Sequence, residues 1–113
     1  MRKGRVLDLV TDGLHEVNLD GARLSYHVRP GLVDLHSVRV SRARRGSGLA
    51  SKALSAFLAE ADRLGVDVRL AASPLDSRTD LRRLIGFYER LGFEKTGERA
   101  NPLGHPIMER RAQ

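Results

Sequence analysis

Arg44-Arg45-Gly46-Ser47-Gly48-Leu49-Ala50-Ser51 lies between the strand-like run ending Val38-Arg39-Val40 and a segment whose apolar residues recur at helical spacing. Two glycines at a strand-to-helix turn let the backbone approach a ligand without Cβ clashes. The first turn of the helix that follows offers unpaired N–H groups and the positive end of the helix dipole. Two arginines at the lip add formal charge, so the stretch reads as an anion site, most naturally for a pyrophosphate. A Walker loop is excluded, because Lys52 follows Ser51 and precedes Ala53. The dinucleotide fingerprint G-x-G-x-x-G fails at Ser51. It should also open a series of alternating strands and helices, whereas this loop follows about 45 residues of strand-like sequence.

Upstream, residues 5–10, 14–19, 22–29 and 32–40 read as four strands. Asp12-Gly13 and Asp20-Gly21 are placed as hairpin turns, and Pro30-Gly31 ends the third strand. Within that third strand Ala22, Leu24, Tyr26 and Val28 alternate with Arg23, Ser25, His27 and Arg29, which gives one buried face. The fourth is apolar at Val33 and Leu35 and again at Val38 and Val40; this change of phase predicts a bulge near His36-Ser37. Downstream, a helix from about Gly48 to Leu64 gathers Leu49, Ala50, Ala53, Leu54, Phe57, Leu58, Ala61 and Leu64 on one face, with Gly65 as its stop. Residues 66–71 form a fifth strand, and 73–78 a polar loop around Pro74. A second helix spans roughly 79–91, with Leu81, Leu84, Ile85, Tyr88 and Leu91 inward, Ser77 or Thr79 as its cap and Gly92 at its end. Residues 93–96 and 107–110 supply the last strands. This order is an α+β arrangement around one mixed sheet, expected as a single domain over residues 1–113.

Arg45-x-x-Gly48-x-Ala50, placed directly after a strand, resembles the acetyl-CoA pyrophosphate loop of the GNAT (N-acetyltransferase) superfamily. Phe87-Tyr88-Glu89-Arg90-Leu91-Gly92-Phe93 is similar to the Y-E-K-L-G-F ending that this family carries on the helix after its fifth strand. The separation of the two motifs, about 40 residues, is also usual for the family. The resemblance covers residues 32–111 well and 1–31 by position. It implies antiparallel N-terminal strands, two main helices and a splayed fourth and fifth strand pair. The form is minimal, because residues 1–31 leave no room for the two helices many relatives place after the first strand.

The resemblance further implies direct transfer of an acetyl group from acetyl-CoA to a primary amine in a ternary complex. N–H groups of Arg45, Gly46, Ser47, Gly48, Leu49 and Ala50 would then hold the pyrophosphate, while Ser51 adds a hydroxyl or caps the helix. Val38 and Val40 would pair with the pantetheine arm, the Val38 N–H polarising the thioester carbonyl. Tyr88 matches the tyrosine that lies near the coenzyme sulfur and protonates the thiolate. One departure stands out: Leu81 occupies the position, seven before the tyrosine, where relatives often carry Asn.

The general base is open at this level. Asp34 and His36, two apart on the fourth strand, are candidates to face the acetyl group together; both also read as surface residues. His105, beside Pro106, reads as a turn residue near the acceptor. His15, His27, His36 and His105 show no ligand spacing, so no metal is expected. With no Cys, disulfides and a cysteine nucleophile are excluded. No apolar core follows the basic N-terminus and no stretch has membrane-spanning length, so a cytoplasmic protein is expected.

A formal charge of +6, with 17 Arg against 3 Lys, raises nucleic acid as a partner. The few aromatics sit where a core wants them, so no stacking surface is visible, and a site for the coenzyme phosphates accounts for the same charge. Beside the enzyme reading stand a non-catalytic acyl-CoA-binding module and a nucleic-acid-associated relative. The missing helices leave the acceptor site open or completed by a second subunit, and a homodimer is expected.

Overall fold

The computed structural model describes residues 7–19, 21–40, 48–73, 81–100 and 104–113. The elements run β1 (Gly13–Leu19), β2 (Ala22–Arg29), β3 (Leu32–Val40), α1 (Leu49–Leu64), β4 (Asp67–Ala71), α2 (Leu81–Arg90), β5 (Glu94–Ala100) and β6 (His105–Arg110). They build one six-stranded sheet of order β1-β2-β3-β4-β6-β5. Only β3 and β4 pair in parallel, as a strand–helix–strand crossover through α1 requires. The predicted bulge is present: Tyr26 pairs with Leu35 but Ser25 pairs with Ser37, leaving His36 as the extra residue.

Register puts Val33, Leu35, Val38 and Val40 on the same face as Ala22, Leu24, Tyr26 and Val28. Helix α1 covers that face with the predicted Ala53, Leu54, Phe57, Leu58 and Ala61, and Phe57 meets the Tyr26 ring edge-on at 5.2 Å. Arg110 shares the face and reaches both Asp62 of α1 and the Leu91 carbonyl beyond α2, so both helices lie on this side. The opposite face is polar. Arg29 pairs with Asp34 at 2.8 Å and Arg69 with Glu109 at 3.0 Å. An antiparallel sheet tolerates one wet face, and here the side without helices shows mainly charged pairs, with Leu14 as its exposed apolar residue.

Three expectations are corrected. Residues 7–10 are not a strand, because the Asp8 carboxylate accepts the Val10 and Thr11 N–H groups at 2.8 and 2.9 Å and bends the chain there. Leu7 and Leu9 are nonetheless buried, so their alternation reported burial and not pairing. Asp12-Gly13 is consequently no hairpin turn; Gly13 opens β1. The predicted fourth and fifth strands are therefore β3 and β4. His105 begins β6 and does not sit in a turn. The proposed caps Ser77 and Thr79 lie outside the described residues.

The far end of α1 is tightly closed. Gly65 in the left-handed conformation donates to Asp62 O, and Val66 N donates to Ala61 O. Arg110, 7% exposed, donates to both Asp62 carboxylate oxygens at 2.7 and 3.0 Å and to Leu91 O at 2.7 Å. The Gln113 N–H adds a further bond to Asp62 at 2.9 Å. Gly92 packs into this corner: a Cβ there would come within 2.7 Å of Gln113 Nε2 and 3.1 Å of Arg110 Nε.

Candidate active site

The parallel ladder ends at Leu35–Leu70, while β3 runs on to Val40. Past that pair the strands part, and a cleft of about 760 Å³ opens between them. Its wall on the helix side is apolar, with Leu35, Val38, Ala50, Leu54, Leu70, Leu84, Phe87 and Tyr88. The other side is polar and includes Arg29, Asp34, Ser37, Arg39, Arg69 and Ser73. The cleft thus joins a greasy half to a charged half through the gap in the sheet.

At one end of the cleft stands the start of α1. Gly48 occupies the cap position with φ 82°, no side chain caps the helix, and its first turn holds no acidic residue. A Cβ at Gly48 would meet nothing within 4 Å, so the left-handed φ rather than crowding calls for glycine. Lys52 N donates to Gly48 O at 3.0 Å, so the N–H groups before it have no acceptor within the helix. Ala50 lines the cleft, whereas the side chains of Ser51 and Lys52 are exposed. Arg45, Gly46 and Ser47 lie outside the described residues.

Tyr88 stands half-buried on α2, its ring 5.4 Å from Phe87 and 5.6 Å from Phe93 in an edge contact. No described residue hydrogen-bonds its hydroxyl, and Tyr88 lines the cleft. Burial pushes the phenol pKa above its ordinary value, so it stays protonated through neutral pH. Leu81, at the position of the missing Asn, packs against the core.

The two base candidates both line the cleft. The bulge shifts the parity of β3, so Asp34 lies with Ser37 and Arg39, and His36 is the exposed extra residue. Asp34 is already engaged, accepting Arg29 Nε at 2.8 Å, with Arg69 beside it in register on β4. Val38 lines the cleft; Val40 is half-buried further along β3. An arrangement the sequence did not disclose stands at the cleft wall: Ser73 Oγ and His105 Nδ1 are 2.8 Å apart, and Ser73 lines the cleft. These residues are 32 apart in sequence, so no local pattern links them. Among the described residues no group of three or more His, Asp or Glu is arranged to hold a metal.

The profile of the Acetyltransferase (GNAT) family matches residues 17–93. The chain belongs to this acetyltransferase family, and the six-stranded mixed sheet with two helices is the fold it shares with solved relatives. It is similar to the anti-CRISPR protein AcrVA5 (24% identity, TM-score 0.66, covering 86% of this chain and 97% of that one). It also resembles the ribosomal-protein-S18-alanine N-acetyltransferase of Escherichia coli (20%, 0.65, 87% and 67%). A third likeness is to the PaiA N-acetyltransferase of Thermoplasma acidophilum in complex with coenzyme A (15%, 0.59, 80% and 52%). At these identities the likenesses speak for the fold. No curated protein matches the chain. No described helix is long and apolar enough to cross a membrane.

Proposed function

We propose that this chain transfers the acetyl group of acetyl-CoA directly to a primary amine within a ternary complex. The observation that carries the reading is the meeting, in one cleft, of three unspent features: an uncapped helix start at Gly48, a β3 edge without a β4 partner at Val38, and the Tyr88 hydroxyl. When bound, acetyl-CoA supplies a thioester whose carbonyl carbon is open to attack by an amine. N–H groups of residues 45–50 hold the pyrophosphate, aided by the Arg45 charge and by Ser51. The β3 backbone at Val38 and Val40 orients the pantetheine arm, and the Val38 N–H takes the carbonyl oxygen as negative charge develops. A C–N bond forms as the C–S bond breaks. The amine gives up one proton, and the leaving sulfur takes one from Tyr88. Asp34, committed to Arg29, fixes the polar wall, and His36 borders the amine's approach.

Two measurements test this. Acetyl-CoA should raise the melting temperature, because it binds the native state. Thiol release from acetyl-CoA should depend on an added amine from a panel of peptides, polyamines and small amines. Binding without amine-dependent release would favour the acyl-CoA-binding module, a reading that the Leu81 departure supports. Nucleic-acid contact and homodimerisation are secondary proposals. The first predicts DNA binding that weakens steeply with salt. The second rests on the open cleft rather than on bare apolar surface, since the uncovered face is largely ion-paired; a monomer in sedimentation at high concentration would remove it.

A further inference from the structure

We infer that Ser73 and His105 form the relay that takes the proton from the acceptor amine; this deepens the transferase reading above and rests on it. Leu35 and Leu70 are the last paired residues of β3 and β4, and the two strands run parallel. Beyond that pair β3 runs on through the bulge to Val38, β4 ends at Ala71 with Ser73 two residues further on, and both Val38 and Ser73 line the cleft. Val38 belongs to the helix side of the cleft and Ser73 to its polar side, so an amine that reaches a carbonyl held at the Val38 N–H from the polar side passes the Ser73 hydroxyl.

Ser73 Oγ lies 2.8 Å from His105 Nδ1. With the hydroxyl as donor to Nδ1, the serine lone pairs are left to accept a proton from the amine. The step balances simply. The ammonium gives a proton to Oγ, the hydroxyl proton passes to Nδ1, and the neutral amine attacks the acyl carbon. The resulting imidazolium then releases a proton to solvent water. His105 never touches the amine; it acts through Ser73, and its place is fixed by β6, whose Pro106 carbonyl accepts the Ala72 N–H at 2.9 Å.

The surroundings favour this pair over the earlier candidates. Asp34 is occupied by Arg29, and His36 is the exposed extra residue of the bulge. Charged groups near the dyad have other engagements: Arg99 of β5 donates to Gly104 O, and Arg69 of β4 pairs with Glu109 of β6. The cleft wall also carries Asp34, His36 and Tyr88 with Arg29, Arg39 and Arg69; in the transferase reading Tyr88 serves the sulfur.

The test uses Ser73→Ala and His105→Ala on the fastest amine of the panel, with acetyl-CoA binding and melting measured beside turnover across pH. Each variant should bind acetyl-CoA as the wild type does and lose turnover on the order of 10²-fold at neutral pH. The loss should shrink at alkaline pH, where the acceptor deprotonates unaided. Ser73→Thr, which keeps a hydroxyl, should recover most of the activity. A loss of the same factor at every pH would mark the pair as a structural clip between β4 and β6, and unchanged turnover would remove it from the reaction; either overturns the relay while the transferase reading stands. Should His105→Ala fail to fold, the two Ser73 variants decide alone. A wild type that binds acetyl-CoA yet acetylates no amine overturns the transferase reading itself, and the relay with it.

Discussion

Helix α1 has two ends built on opposite principles. Its C-terminal end is satisfied many times over: a glycine cap, the Arg110–Asp62 fork, the Leu91 carbonyl and the chain's own last residues. Its N-terminal end has no capping side chain and no carboxylate in the first turn, although either would stabilise it by roughly 0.5–2 kcal/mol. Gly48, held in the left-handed conformation, brings no side-chain oxygen to the N–H groups of that turn. In the proposed function these N–H groups receive the pyrophosphate, and the closed end supplies the rigidity that lets the open end stay open. The two ends therefore make separable predictions: changes at the closed end should show in stability, changes at the open end in binding and turnover.

The largest effect is expected at the closed end. Arg110→Met leaves the half-buried Asp62 carboxylate and the Leu91 carbonyl without their donor. Removing one partner of a buried pair typically costs about 3 kcal/mol or more, read as a drop in the urea midpoint. The acetyl-CoA-induced rise in melting temperature should survive in proportion. If stability holds and ligand binding falls instead, the division of labour between the two ends is wrong.

Next comes Tyr88→Phe in the cleft. The variant keeps the ring that packs against Phe87 and Phe93 and loses only the hydroxyl. Turnover should fall roughly 10–10³-fold, with melting temperature and acetyl-CoA affinity nearly unchanged. Equal turnover with equal stability would take Tyr88 out of the mechanism.

Gly48→Glu should then abolish the ligand-induced stabilisation, which at a hundredfold excess over Kd is about 2.7 kcal/mol. The carboxylate would enter the space in front of the helix start and oppose the pyrophosphate. Gly48→Asn is the control, since Asn tolerates the left-handed backbone and adds no charge. Wild-type affinity in a folded Gly48→Glu protein would show that the pyrophosphate lies elsewhere.

The same division governs what the sequence disclosed. Periodic features were legible because burial imposes them residue by residue: the β2 alternation, the inner face of α1 and the phase change that marks the His36 bulge. Short motifs carried the cleft, since the glycine turn and Tyr88 are each local. Hidden were the groups brought together over distance, namely Arg110 with Asp62, Arg29 with Asp34, and Ser73 with His105. Residues 7–10 failed for a related reason. Alternating Leu7 and Leu9 satisfy a core whether or not a neighbouring strand pairs with them, and a side-chain turn at Asp8 decided against pairing.

The smallest effect is the most direct test of how the closed end is held. Asp62 has its carboxyl pKa lowered, first by the hydrogen bonds from Arg110 and then, against the opposing cost of burial, by the Gln113 N–H and the Arg110 charge. Its folded pKa thus lies below the unfolded value near ~3.9, and the folded state binds fewer protons through that window. The carboxylate therefore contributes stability that is fully present above the unfolded pKa and is lost as pH falls through the lower folded value. Asp62→Asn keeps an oxygen for Arg110 but not the charge, so it should cost about 1–2 kcal/mol at neutral pH. That cost should shrink on acidification as the wild type loses the same advantage. Urea midpoints of both proteins from neutral pH into the acid range would show the gap closing. A gap that stays constant would mean that the fork works by shape alone. At the cleft the sign is opposite, since the pKa of Tyr88 is raised and its proton is lost only on the alkaline side. Acid should consequently loosen the closed end of α1 while leaving Tyr88 of the cleft protonated, the state the proposed transfer requires.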